Sequence, residues 1–129
     1  MSEFNAFWIF MLIVVLLTPL ILIGFGRMFI VNPPKEINPL FGYRTKRSMR
    51  NRDTWIFAHK YIGKLWFVGG LISLPFSLVP MFYIMAENTD LVGITGLIIV
   101  CIQAVLMIAT IVPTEIALKR HFDDFGKTR

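Results

Sequence analysis

The chain has 129 residues, of which 56% are hydrophobic, and its formal net charge is +5. Soluble domains have about 45–50% apolar residues, so this composition argues against an ordinary soluble domain. Three uncharged stretches each exceed the roughly 20 residues that a helix needs to cross a bilayer; they cover residues 4–26, 65–86 and 91–114. The stretches are continuously apolar, whereas the strands of a membrane β-barrel alternate. The sequence therefore predicts an all-α membrane protein with three transmembrane helices.

The first transmembrane helix is predicted over about residues 4–25. Phe4 and Trp8 lie at its start, where interfacial aromatic residues are common. We interpret it as a retained helix, because a signal peptide would have a basic start, a shorter apolar stretch and a small-residue cleavage site. Pro33 and Pro34 then stop the helix and favour extended backbone.

A basic loop is predicted over residues 27–64, which hold nine of the thirteen Lys and Arg residues; the other four follow the third apolar stretch. Because basic residues collect on the cytoplasmic side, the N-terminus should lie outside, and the basic loop and the C-terminus inside. Residues 1–129 then form a single membrane domain. The expected partners are membrane lipids, with anionic head groups at the cytoplasmic face. Direct nucleic-acid binding is not expected, since orientation alone accounts for the charges.

An amphipathic interfacial helix is predicted before the second span. Trp55 and Trp66 fall on one helical face and the charged residues lie largely elsewhere, which is typical of a segment at the membrane surface. Ser48 or Asn51 is the expected N-cap. The second span itself is predicted over about residues 65–85.

Small residues recur at every fourth position of the second span, at Gly69, Ser73 and Ser77. Such a stripe lets another helix approach closely, either within the chain or from a second copy, so a homo-oligomer is one assembly that it allows. The third span is predicted over about residues 91–112. Gln103 at its middle is expected to form a hydrogen bond between helices.

The predicted spans contain no Asp, Glu, Lys, Arg or His. Ion-coupled transporters need ionisable groups at depth, so a small coupled antiporter is not favoured. His59 and His121 are far apart in sequence, with no Cys or carboxylate at metal-ligand spacing, and no nucleophile stands beside a base. We therefore expect no metal site, no cofactor and no enzymatic activity.

The most informative stretch lies in the basic loop and the helix after it. Asn38-Pro39 predicts a turn, and Gly42 can supply the positive φ that a tight turn needs. The stretch also offers an aromatic side chain, two hydroxyls and a guanidinium that can clamp a phosphate or a carboxylate. Two interpretations stay open from the residues alone: a loop that caps the helix entrance and orients the protein, or a binding site. The candidate residues are Asn38, Pro39, Gly42, Tyr43, Arg44, Thr45, Lys46, Ser48, Trp55 and Ala58.

This pattern of Asn-Pro-x-x-Gly-Tyr-Arg-Thr, a following Ser and then Trp-x-x-Ala resembles the SdpI family of bacterial membrane proteins, whose namesake is an immunity protein against a secreted peptide toxin. The resemblance covers about residues 32–80. It implies a multi-pass protein of the bacterial plasma membrane that gives immunity to the toxin, senses it, and sequesters a cytoplasmic repressor protein at the membrane. Longer family members carry an additional membrane region before the motif, where this chain has one predicted helix.

Two other functions stay open beside this one: a small oligomeric transporter or pore subunit built around the small-residue stripe, and a membrane scaffold without a site of its own. Under the immunity hypothesis, Arg44, Lys46 and Arg47 would meet anionic lipid or an acidic cytoplasmic partner. Glu87 and Asp90 would lie on the outer face, where a secreted toxin arrives.

Overall fold

The computed structural model describes the backbone of residues 3–129 and the side chains of residues 6–129; the predicted interfacial side chain of Phe4 lies outside the described residues. The chain forms four helices, α1 (Glu3–Val31), α2 (Arg52–Tyr83), α3 (Thr89–Ala109) and α4 (Ile111–His121). Three helical stretches are long and apolar enough to cross a membrane, namely Ala6–Val31, Arg52–Tyr83 and Thr89–His121. Over residues 3–129, β pairing is limited to one isolated bridge between Phe122 and Thr128. The predicted all-helical class with three candidate spans is confirmed.

The helices run further than the apolar stretches predicted. α1 continues past residue 25 to Val31, because the first residues that cannot extend it are Pro33 and Pro34. The third span is predicted to end near residue 112, whereas helical structure continues beyond it. α3 ends at Ala109, and after a one-residue break α4 continues through Pro113. Pro113 is the third residue of α4, where a missing N–H costs little because the first helical turn has no intrahelical acceptor for it.

α1 and α2 pack against each other in antiparallel directions, and glycines bring their backbones close. A Cβ added to Gly26 would lie 2.5 Å from the backbone nitrogen of Phe67, and one added to Gly70 would lie 2.8 Å from the carbonyl oxygen of Pro19. Near the other ends of the two helices, the indole N–H of Trp8 donates to the carbonyl of Met81 at 2.7 Å.

α3 runs parallel to α1 and antiparallel to α2. Gln103 joins all three helices, since its Nε2 donates to the carbonyl of Val15 and to the hydroxyl of Ser77, each at 2.8 Å. The interhelical hydrogen bond predicted for Gln103 is thus confirmed. Elsewhere in the predicted small-residue stripe, a Cβ on Gly69 would meet open space, and the hydroxyl of Ser73 bonds within its own helix. Packing of this stripe against a second copy stays a prediction.

Buried apolar side chains form two clusters at opposite ends of the bundle. We call one end the loop end; it contains the segment between α1 and α2, the start of α2, and α4. Its core is Phe29, Tyr43, Ala58, Ile62, Leu118 and Phe122. We call the other the turn end; it contains the short connection between α2 and α3. Its core is Trp8, Val15, Met81, Ile84 and Val92. Many of the remaining large apolar side chains are exposed, as lipid-facing residues of a membrane protein are.

Candidate functional site

The segment between α1 and α2 is a non-helical loop over residues 32–51 that folds back onto the first turns of α2. Asn38 begins the fold, because its Oδ1 accepts the backbone N–H groups of Leu40 at 3.0 Å and Phe41 at 2.7 Å. This is an Asx turn, in which a side chain takes the place of a backbone acceptor. The turn predicted at Asn38-Pro39 is therefore confirmed.

Gly42 is the position where the loop meets α2. Its φ of +112° is open to glycine and strained for other residues, which confirms the predicted positive φ. A Cβ there would lie 2.5 Å from Nε2 of His59 and 3.1 Å from the ring of Trp55. Both the backbone conformation and the lack of space therefore require glycine.

His59 is fully buried and connects the loop to α2. Its Nε2 accepts the backbone N–H of Tyr43 at 2.8 Å, so its Nδ1 carries the proton and donates to the carbonyl of Trp55 at 2.7 Å. The indole N–H of Trp55 in turn donates to the carbonyl of Pro34 at 2.8 Å. The sequence indicated only that His59 is a poor metal-ligand candidate. Its position four residues after Trp55, on the same helical face, was the available signal for this structural role.

The two loop hydroxyls are used to hold the loop itself. Ser48 Oγ accepts the N–H of Thr45 at 2.8 Å, and Thr45 Oγ1 accepts the N–H of Ser48 at 3.1 Å. Ser48 Oγ also donates to the carbonyl of Tyr43 at 2.9 Å. Asn51 caps α2 by accepting the N–H of Thr54 at 2.9 Å, so of the two predicted caps Asn51 is the one that the helix uses.

Tyr43 ties the loop to α4. Its hydroxyl donates to Oε1 of Glu115 at 2.5 Å, and its ring lies in the core with Ala58 and Leu118. Burial, followed by the hydrogen bond to Glu115, raises the pKa of the Tyr43 phenol above its ordinary value of 10.0. Tyr43 therefore stays a protonated donor at neutral pH. No role was predicted for Glu115, because nothing in its local pattern indicates a partner 72 residues away.

The C-terminal residues close over the loop. The side-chain amide of Asn51 donates to the carbonyl of Gly126 at 2.8 Å, and a guanidinium nitrogen of Arg47 lies 3.6 Å from a carboxylate oxygen of Asp124. Asp123 shapes this tail, since its Oδ1 accepts the N–H groups of Lys127 and Phe125 at 2.9 Å. The bond from Lys127 is the main reason why the pKa of the Asp123 carboxyl is lowered.

The structure separates the predicted cationic residues into two surroundings. Lys46 and Arg47 line a cavity of about 510 Å³ whose wall also contains Glu115 and Asp124, so opposite charges lie near them. Arg44 is exposed and lies at a different opening, a largely apolar groove of about 460 Å³. Most of the other candidate residues hold the loop in place, whereas the side chains of Arg44 and Lys46 are exposed on its surface.

No group of three or more His, Cys, Asp and Glu side chains that could hold a metal ion occurs in the described part of the chain.

The chain matches the SdpI/YfhL protein family over residues 35–114, which include the whole loop from Lys35 onward, α2 and α3. The chain belongs to the SdpI/YfhL family. It is similar to the uncharacterized protein YfhL of Bacillus subtilis (strain 168), with 32% identity in an 87-residue alignment that covers 63% of this chain and 74% of that protein. No solved structure was found to match it.

Proposed function

We propose that this SdpI/YfhL-family membrane protein gives a bacterial cell immunity to a secreted antimicrobial peptide, and that it senses the peptide and holds a cytoplasmic repressor at the plasma membrane. Family membership supports the class of function. The observation that carries the proposal is the construction of the loop end. Hydrogen bonds that involve His59, Ser48 and Tyr43 hold the loop in place, while Arg44 and Lys46 stay exposed on it.

The proposed orientation follows from the charges at the two ends of the bundle. The loop end carries the basic residues and belongs in the cytoplasm by the positive-inside rule, with the first turns of α2 at the membrane surface as an amphipathic segment. The turn end carries exposed Glu87 and Asp90 and faces outward, where a cationic peptide would be attracted to them. A reporter fused after Arg129 should then behave as cytoplasmic.

The repressor role requires a surface that an acidic partner can recognise. A rigid loop that presents guanidinium and ammonium groups suits carboxylates, because preorganised cations lose little conformational freedom on binding. The toxin would act at the turn end and the repressor at the loop end, so the three helices that join the ends would transmit the signal.

The direct experiment is a killing assay. The chain is expressed in a bacterial strain that is sensitive to a family-type secreted peptide toxin, and survival is compared with the empty vector. We expect survival to rise in proportion to the amount of protein in the membrane. Unchanged killing at full membrane accumulation would refute immunity, and a fluorescent repressor that stays cytosolic in cells treated with toxin would refute sequestration.

A small oligomeric transporter or pore subunit is the second candidate, and the open space beside Gly69 favours it. A second copy could approach this face closely, because small residues allow helix backbones to come together. This alternative expects ion flux in proteoliposomes, and it expects Gly69→Leu to abolish both flux and chemical crosslinking of copies. A monomeric protein without flux would exclude it.

A further inference from the structure

The groove beside Arg44 is built from all parts of the loop end. The end of α1 supplies Phe25, α2 supplies Trp66, and the junction of α3 and α4 supplies Met107 and Ile111. Its volume is about 460 Å³. Such a concave surface differs from the convex faces of single helices that lipids contact around any membrane protein.

The groove is open to the surroundings of the bundle, and several of its lining residues are partly exposed. Phe25, Phe41 and Ile111, which line it, are about two-fifths exposed, at 38%, 41% and 41%. On the inner wall, the indole N–H of Trp66 is already bonded to the hydroxyl of Thr110 at 3.0 Å. The wall therefore offers apolar contact and no free indole donor, which suits a hydrocarbon chain.

One end of the groove is charged. Arg44 lines it there, and among the described residues Arg44 has no carboxylate within 4.0 Å. The carboxylates of the loop end, Glu115 and Asp124, line the other cavity. A positive charge at one end of an apolar groove complements an amphipathic molecule with an anionic head, and a guanidinium binds phosphate oxygens in a bidentate manner.

We propose that this groove is a binding site for one anionic glycerophospholipid, with an acyl chain against Phe25, Trp66 and Met107 and its phosphate on Arg44. The lipid would fill the space between the loop and α3 and would fix the loop at the membrane surface. The inference does not rest on immunity, because the groove exists whatever the chain does for the cell.

The test uses the full chain reconstituted in vesicles of equal phosphatidylglycerol and phosphatidylcholine with identical acyl chains, then extracted in mild detergent for native mass spectrometry. We expect one retained phosphatidylglycerol per chain, at about tenfold preference over phosphatidylcholine, the size expected for a hydrogen bond to a charged group.

Arg44→Gln should remove the preference. Met107→Trp, which fills the groove, should lower retention of both lipids. Lys60→Gln, which removes an exposed cation outside the groove, should change neither.

A second measurement needs no variant that might misfold. Phosphatidylglycerol with brominated acyl chains should quench the tryptophan fluorescence of the wild-type chain more strongly than brominated phosphatidylcholine at the same mole fraction, because Trp66 lines the groove. Equal quenching, or equal retention of the two lipids by the wild-type chain, would overturn the proposal.

Discussion

The two ends of the bundle are held together in different ways. At the loop end, side chains such as His59, Ser48 and Trp55 bond the backbone of a loop that is not helical. At the turn end, a cluster of apolar side chains and the bond from the Trp8 indole to the Met81 carbonyl hold the helices together. A helix satisfies its own backbone groups, whereas irregular backbone near a membrane must find other partners. The difference explains why specific polar residues concentrate at the loop end.

The strongest way to break the loop end is Gly42→Ala. Positive φ costs a residue with a side chain about 1–3 kcal/mol, and the contact with His59 adds a comparable overpacking cost. We expect a large drop in the thermal unfolding temperature in detergent and loss of the protein from the membrane. The matched control is Gly24→Ala, where a Cβ would meet nothing within 4 Å. Equal stability of the two variants would show that the loop does not need Gly42.

Tyr43→Phe should have a smaller effect, because it keeps the ring in the core and removes the hydroxyl that donates to Glu115. Losing one partner of a part-buried, charged hydrogen bond costs about 1–3 kcal/mol. Since the folded-state pKa of Tyr43 lies above the ordinary 10.0, its stabilisation is complete below pH 10 and is lost as the pH rises toward the folded-state value. Unfolding titrations between pH 8 and 11 should therefore show a steeper alkaline loss for wild type than for Y43F; parallel curves would argue against the assignment.

Gln103→Leu tests a bond to Val15, a residue of the turn-end core. The substitution leaves the carbonyl of Val15 and the hydroxyl of Ser77 without the donor that now serves both. Hydrogen bonds between membrane helices contribute about 0.6–2 kcal/mol, so the unfolding midpoint in a denaturing detergent should fall modestly while the loop end is unaffected. Ala104→Leu, at an exposed neighbouring position, is the control. A fall as large as that of Gly42→Ala would mean that the two ends are not held differently.

Several correct predictions came from local signals. The three apolar stretches, the Asn38 turn, the positive φ of Gly42 and the Asn51 cap each depend on residues within a few positions of one another. The pairing of Tyr43 with Glu115 joins residues far apart in the chain, so no periodic pattern in the sequence predicts it.

Helix packing was equally hard to foresee. The sequence pointed to a stripe that includes Gly69, yet the close approach to α1 uses Gly63 and Gly70. Small residues mark several faces of a membrane helix, and which face is used depends on the partner helix.

The sequence left two interpretations of the candidate motif open, a capping loop and a binding site, and different residues of the motif fit each of them. Gly42, Ser48 and Trp55 build the loop and cap the entrance to α2. Arg44 and Lys46 are exposed side chains that the completed loop presents. A structural role for most of the motif and a binding role for its cations are therefore compatible.

The central claim is that the loop end presents exposed cations for binding, and Arg44→Ala in the killing assay tests it most directly. The variant should accumulate in the membrane at the wild-type level, because Arg44 forms no salt bridge in the described part of the chain, and it should lose protection. Lys60→Ala, an exposed cation on α2 outside the motif, should protect fully. Full protection by Arg44→Ala at normal membrane levels would contradict the account.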